Sequence, residues 1–229
     1  MATTFHDSAI GIAAASGTTL ATTDALSVTA GDLIYVDLGW EGAAGASVAT
    51  VTDGQSNTYT VANALLSHSN SDLRSVTYKA IAASSGTINP SFTIDAARTF
   101  RSITAFSATP SAGTTLVIDG AGNQAQGTSA TPSAGSATPT TSTGIAFATV
   151  RQYGTRTATA GSGWTLPAEL AGPLADASHG EYRIISSASA ITGDLSLDSS
   201  NEFVAHLSLF KEQASGGGGG NILMGQVCT

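Results

Sequence analysis

Apolar and polar positions alternate along most of this chain with a period of two, the period of a half-buried strand. The clearest run is Gly31-Asp-Leu-Ile-Tyr-Val-Asp-Leu-Gly-Trp40, where Ile34, Val36, Leu38 and Trp40 share one face. Leu33 and Tyr35 take the other face, so the start of this strand is expected to be covered on both sides. The second half writes the pattern again as Gly144-Ile-Ala-Phe-Ala-Thr-Val-Arg-Gln-Tyr153. The segments after the two copies also match in order. A turn leads to an aromatic at Tyr59 and at Trp164, and a tyrosine strand comes next at Val76–Ala80 and at Glu181–Ile185. Short alternating strands succeed it at Ser91–Ile94 and Asp194–Leu197, and each half closes on a phenylalanine, Phe106 and Phe210. Equivalent positions lie about 103 to 113 residues apart, which marks an internal duplication.

The pattern predicts an all-β fold: a two-sheet antiparallel β-sandwich, jelly-roll-like, built from two pseudo-repeated halves. Residues 1–211 read as one domain, with halves at about 1–107 and 144–211 and a crossover at 108–143. The crossover repeats Ala-Thr-Pro-Ser-Ala-Gly at 108–113 and at 130–135, with one strand candidate between them, Thr114–Asp119. A short helix is expected only within Pro167–Ala177, interrupted by Pro173. Residues 212–229 read as a Gly-rich linker and an extended apolar C-terminal arm. The glycines Gly216 to Gly220 resist ordering, because glycine loses the most entropy when fixed. Ile222, Leu223, Met224 and Val227 beyond them are the candidate anchors on a partner.

Composition narrows the function more than any motif does. Charged residues are only 10% of the chain, against about 25% in an ordinary domain. Eight basic against sixteen acidic residues leave a net charge of −8, which disfavours nucleic acid and anionic membrane surfaces as partners. The one cysteine, Cys228, allows no intrachain disulfide. The start, Met1-Ala-Thr-Thr-Phe-His-Asp, has no basic or continuous apolar run, so no signal peptide is expected.

Chemistry is sparse. No nucleophile elbow, P-loop or zinc-protease motif occurs, and Ser208-Leu-Phe-Lys211 matches Ser-x-x-Lys without its companion motifs. His6, His68, His179 and His206 stand singly; His68 and His179 read as exposed loop residues among Ser and Gly. Asp53, Gln55 and Asn57 alternate as calcium ligands do, but lack a bidentate Glu, and a hairpin turn is the better account. Trp40 and Trp164, with Tyr59 and Tyr153, would make a sugar-stacking platform if exposed. Their repeated places at strand ends favour packing instead. No metal, no cofactor and no enzymatic activity are expected.

Thr29-Ala-Gly-Asp-Leu-Ile, Val51-Thr-Asp-Gly-Gln-Ser-Asn-Thr-Tyr59, Tyr78-Lys-Ala80, Gly161-Ser-Gly-Trp-Thr165 and the closing Leu209-Phe-Lys211 together resemble a broad group of bacterial and phage jelly-roll-like β-sandwich proteins. The resemblance spans about residues 25–211 and rests on turns and core positions. The chain departs from that group at Gly144-Ile-Ala-Phe, where Gly-Asp-Leu-Val is usual. It implies a non-enzymatic phage virion structural protein, a capsid decoration or cement protein made in the host cytoplasm and carried on the outer surface of the particle. Its partners would be the major capsid protein or other virion proteins, in a homo-oligomeric or multi-copy assembly. The alternative is a carbohydrate-binding receptor or adhesin module, with Trp40 and Trp164 on the glycan.

Overall fold

Small and β-branched residues alternating with Ser and Thr favour a pleated, half-buried backbone over a helix, and nearly every apolar run becomes a strand. The computed structural model describes residues 2–42, 47–120 and 122–215. The first half runs β1 (Thr4–Ala13), β2 (Gly17–Ala21), β3 (Leu26–Val28), β4 (Leu33–Glu41), β5 (Val48–Thr52), β6 (Thr60–Ser67), β7 (Leu73–Ile81), β8 (Gly86–Ile88) and β9 (Ser91–Thr109). The middle of the chain adds β10 (Thr114–Ile118), β11 (Asn123–Ser129) and β12 (Ser133–Ala137). The second half continues with β13 (Gly144–Gln152), β14 (Thr155–Arg156), β15 (Ala158–Thr159), β16 (Leu174–Ala175), β17 (Ser178–Ile185), β18 (Ile191–Asp194), β19 (Ser196–Leu197) and β20 (Asn201–Ala214). The one helical turn among the described residues, α1 (Ala168–Ala171), starts after Pro167 and stops at Gly172, where Pro173 cannot continue it.

Two open antiparallel sheets form the frame, as the alternation predicted. One has the order β1-β9-β4-β7-β6, the other β10-β20-β13-β17. The first four strands of each correspond one to one, and the short pair β3-β8 has its counterpart in β12-β18. The duplication is therefore topological as well as sequential. β10, β11 and β12 all pair with strands of the second half, so the crossover segment is built into that half's sheets. Only β10 carries the apolar signature that betrays a strand. β11 reads Asn-Gln-Ala-Gln-Gly-Thr-Ser and shows no apolar face, because it lies at a polar rim.

Buried side chains gather in three clusters. Ile34, Val36, Leu38 and Trp40 of β4 pack with Leu26, Ile88 and Phe92 inside the first half. Ala146, Ala148 and Val150 of β13 pack with Trp164, Ile191, Leu197 and Leu207 inside the second. The third cluster lies between the two sheets: Leu33, Tyr35, Phe106, Leu116, Ile145, Phe147 and Phe210. Every residue of β4 and of β13 is buried, because each strand serves its own half with one face and the common interface with the other.

This division corrects the register of the repeat. Aligning Gly31 with Gly144 sets Leu33 against Ala146, residues on opposite faces. The residues that face the interface together are Leu33 and Tyr35 from β4 with Ile145 and Phe147 from β13, one position along. A one-residue shift moves a strand's whole set of side chains to the other side. It also separates Tyr78, which packs inside the first half, from Tyr182, which faces the interface.

Candidate functional site

The interface between the sheets has an aromatic end and an ionic end. At the aromatic end Phe147 stacks on Tyr35 (centroids 5.0 Å, 9°) and on Phe106 (5.1 Å, 26°), with Phe210 edge-on at 6.1 Å. Phe5 of β1 stacks flat on Tyr182 of β17 at 3.9 Å. A polar bridge crosses beside them: Asn63 Nδ2 donates to Ser208 Oγ (2.7 Å), which donates to the Tyr35 hydroxyl (3.2 Å). Burial, helped by the nearby Asp37 charge, raises the Tyr35 phenol far above its ordinary range, so the ring stays neutral.

At the ionic end Arg151 is fully enclosed and crosses from β13 to the first half. Its Nη1 donates to Ser102 Oγ and to the Asp176 carbonyl, both at 2.6 Å, and its Nη2 donates to the Phe100 carbonyl. Glu41 Oε1 is 3.7 Å from Nη2. Phe100 and Asp176 both take left-handed backbone, at φ 47° and 49°. Both therefore hold strained backbone while aiming a carbonyl at one guanidinium, and such backbone persists only where the surroundings hold it. Burial pulls the Arg151 guanidinium below its ordinary value, while Glu41 and Asp37 push the other way. Burial pushes the Glu41 carboxyl up to about 7, against the lowering effect of Arg151. His206 on β20 is fully buried nearby, and its burial favours the neutral ring although Asp37 opposes this. These groups are walled in by two sheets and join the halves.

The candidates from sequence fall mostly elsewhere. Trp40 is 0% and Trp164 7% exposed, with Trp164 Nε1 donating to the Thr192 carbonyl at 2.8 Å. Both indoles are buried rather than exposed, although Trp40 also lines the groove beside β6. His68 and His179, expected on exposed loops, are both buried: His68 Nε2 lies 3.0 Å from the Gly127 carbonyl, and His179 Nδ1 2.7 Å from the Leu170 carbonyl. Their Ser and Gly neighbours belong to a turn entering β7 and to β17, not to solvent-facing loops. Asp53 accepts from Gln55 N (2.9 Å), Asn57 Nδ2 (2.6 Å) and the Tyr59 hydroxyl (2.9 Å), a self-contained turn that leaves no acid free for calcium. Ser208 is in the interface, while Lys211 pairs with Asp119 at 3.2 Å, so the Ser-x-x-Lys match has no shared site. Among the described residues no three His, Cys, Asp or Glu assemble as metal ligands, and no helix is long and apolar enough to cross a membrane. Ile222, Leu223, Met224 and Val227 lie outside the described residues.

Three clefts mark the surface of the described residues. A cleft of about 430 Å³ opens between β10 and the ends of β6 and β7. A smaller apolar groove of about 270 Å³ lies beside β6, with Trp40, Val48, Val61, Leu65 and Tyr78 among its lining residues. The third, about 400 Å³, is at the base of β20, against Thr3, Ser111 and Glu212. Glu212 accepts from Thr3 Oγ1 and from Ser111 N (2.9 Å), and Ser215 N donates to the Gly113 carbonyl at 2.9 Å. These contacts hold the closing strand firmly to its last described residue. The sequence held no motif for this end of the fold; the signal was only the contrast between Leu209-Phe-Lys211 and the glycines beyond. No family model, curated protein or solved structure matches the chain.

Proposed function

We propose that this chain is a non-enzymatic virion structural protein of a phage, a decoration or cement protein bound in many copies on the outer surface of the head. The observation that carries the reading is the exit of β20. The sandwich is held to Ser215 by the bond to Gly113, and a glycine run with an apolar segment comes after it. A rigid body with a tethered apolar arm suits a protein that binds by arm exchange and edge contacts among repeated subunits. The charge-poor, Ser/Thr-rich chain, cysteine-free through the sandwich, needs no oxidising compartment to fold. Its resemblance to phage jelly-roll-like proteins points the same way.

The mechanism rests on mass action. Each arm that buries Ile222, Leu223, Met224 and Val227 on the major capsid protein or another virion protein adds apolar association energy, about 25 cal/mol per Å² covered. A ligand that binds the assembled particle and not its separated subunits stabilises it by an amount that grows with the logarithm of its concentration over Kd. The test is co-sedimentation of the purified chain with heads stripped of it, beside a version ending at Ser215. Saturable binding by the full chain and weak binding by the shortened one support the reading. Equal occupancy by both removes the arm's role, and binding to tails or host cells alone replaces the head by an adhesin assignment.

A further inference from the structure

The 430 Å³ cleft is lined by three consecutive residues of β10, Thr115, Leu116 and Val117, and three of β7, Lys79, Ala80 and Ile81. Successive residues of a strand point to opposite faces, so a cavity touching three in a row meets the strand's edge. The ladders show which main-chain groups are turned to it. The Gly113 carbonyl accepts from Ser215 N (2.9 Å) and Asp119 N donates to the Leu209 carbonyl (2.8 Å), so Thr115 and Val117 between them also turn their main chain to β20. Leu116 and Ile118 turn theirs the other way, where no described strand pairs with β10. Beyond β7, Ala82 N donates to the Asp32 carbonyl and the Ala82 carbonyl accepts from Gly31 N, both at 2.8 Å, so Ile81 turns its N–H and C=O away from β4. β6 begins at Thr60 opposite Lys79, so no described strand meets Ile81 on that side. Two unpaired stretches of backbone therefore face one cleft. β10, Thr-Thr-Leu-Val-Ile, has no charge, proline or bulge, the devices that ordinarily protect an edge from pairing.

We propose that this cleft receives an extended segment of another protein, added as a strand along β10, with apolar residues at alternate positions and one acidic side chain. The chemistry of the walls selects this occupant. Leu33 and Leu116 are buried at the cleft, and Ile81 is 42% exposed beside them, so apolar side chains entering between the sheets find apolar neighbours. Lys79 and Ile81 lie opposite Tyr35 and Leu33 in the ladder, and all four share the face turned to the other sheet. Lys79 is the one charged residue of the lining and forms no ion pair among the described residues, in a chain whose net charge is −8. An acid on the guest strand supplies the missing counter-charge. A second copy of this chain does not. Its β10 carries no carboxylate, and Asp119 just beyond is buried and already paired with Lys211. Its free edge is also recessed across from its own β7, so two such edges cannot meet. Main-chain bonds to Leu116 and Ile118 give the guest its affinity, and the alternate side chains give selectivity. This inference stands whether or not the protein decorates a phage head.

The test is amide hydrogen exchange on the full-length chain with blocked seven-residue peptides of alternating Val and Thr, one neutral and the rest with Glu replacing one residue at a time. At saturation the best Glu peptide should slow the Leu116 and Ile118 amides about tenfold or more. Thr115 and Val117, whose amides already face β20, should not change and serve as the internal control. Lys79→Glu should weaken that peptide by about two- to fivefold and strengthen the same peptide with Lys in place of Glu by a similar factor. Failure of every peptide to protect Leu116 at millimolar concentration overturns the proposal. Equal affinity of parent and Lys79→Glu for the Glu and Lys peptides overturns it too. So does Leu116 protection that grows with protein concentration in the absence of peptide, which assigns the cleft to a second copy. No particle enters these measurements, so their failure is distinct from failure of the decoration reading.

Discussion

Arg151 lies across Gly39: a Cβ added to this glycine would stand 2.8 Å from the arginine's Nε, and closer still to its Cδ. Gly39 sits in the middle of β4, where glycine ordinarily weakens a strand. Here the missing side chain is the space through which the second half's guanidinium reaches Ser102 and the carbonyls of Phe100 and Asp176. Gly180 plays the matching part for Phe106, whose Cε2 would be 3.0 Å from an added Cβ. The two halves are joined by side chains that each fill a gap left by a glycine on the other.

Gly39→Ala should therefore destabilise the protein by roughly 1–3 kcal/mol, the usual cost of forcing extra volume into a packed interior. Urea unfolding measures it as a lowered midpoint. A variant as stable as the parent would mean that Arg151 can move aside without losing its partners.

Removing the guanidinium is the harsher change. Arg151→Ala leaves Ser102 Oγ and the carbonyls of Phe100 and Asp176 without their donor, and each buried hydrogen-bonding group so stranded costs about 1–3 kcal/mol. Without Arg151 the Glu41 carboxyl loses the cation that lowers it, so pairing the change with Glu41→Gln should recover part of the loss above about pH 7. A double-mutant cycle with strictly additive effects would show that the two do not interact.

Phe147 touches Tyr35, Phe106 and Phe210 and is the centre of the aromatic end. Phe147→Ala should cost about 3–5 kcal/mol through lost burial and the cavity left behind. Because each half keeps an apolar cluster of its own, the loss should fall on their coupling. Calorimetry should then show a broadened or divided transition. A single sharp transition at a lower temperature would mean that the halves do not hold separately.

The alternation of β4 and β13 made the sheets legible, together with the double coverage that becomes the interface. The register of the repeat was not, because Gly31 and Gly144 look equivalent to the eye while the pleat places Leu33 with Ile145. β11 stayed hidden: its Asn, Gln, Gly and Thr show no apolar alternation, and its side chains are held by polar contacts, Gln124 with His206 and Gln126 with Ser69 N. The ionic end was marked in the sequence by Asp37 and Arg151, charges set in otherwise apolar strands. Their neighbours Ser102, Asp176 and His206 come from segments too distant in the chain for spacing to connect. His179 was misread because Ser178 and Gly180 resemble a loop, whereas Gly180 is small to admit Phe106.

The tryptophans give a direct optical test of the buried reading. With Trp40 and Trp164 enclosed, emission should be blue-shifted, acrylamide should quench it weakly, and added oligosaccharides should leave it unchanged. Strong quenching of either indole, or a sugar-dependent shift, would favour the glycan-binding alternative.

Buried acids and buried histidines tilt stability in opposite directions with pH. Burial opposes ionisation of Asp119 and Glu212, but hydrogen bonds from Thr140 and Lys211, and from Ser111 and Thr3, outweigh it and hold both below their ordinary values. Their contribution is present above the unfolded carboxyl value, about 4, and is lost as the pH falls through the folded one. Glu181 and Glu41 work in the opposite sense. Burial raises Glu181 to about 8, against a hydrogen bond from Gly161 N at 2.8 Å, and raises Glu41 to about 7. Below about pH 4 both are protonated in either state and contribute nothing. Between about pH 5 and 8 the unfolded chain gives up these protons while the folded chain keeps them, so ionisation draws the equilibrium towards unfolding. His179 and His206, held neutral by burial, work against this below about pH 6.5, where the unfolded chain takes up protons that the folded one refuses, so the fall from the two acids stands clear between about pH 7 and 8. Glu181→Gln removes one of the two groups while keeping an oxygen for Gly161. It should flatten the decline and gain on the order of 3 kcal/mol at pH 8, with little difference from the parent at pH 4. Urea midpoints measured from pH 4 to pH 9 test this, and parallel profiles for parent and variant would show that Glu181 ionises in the folded protein as freely as in the unfolded one.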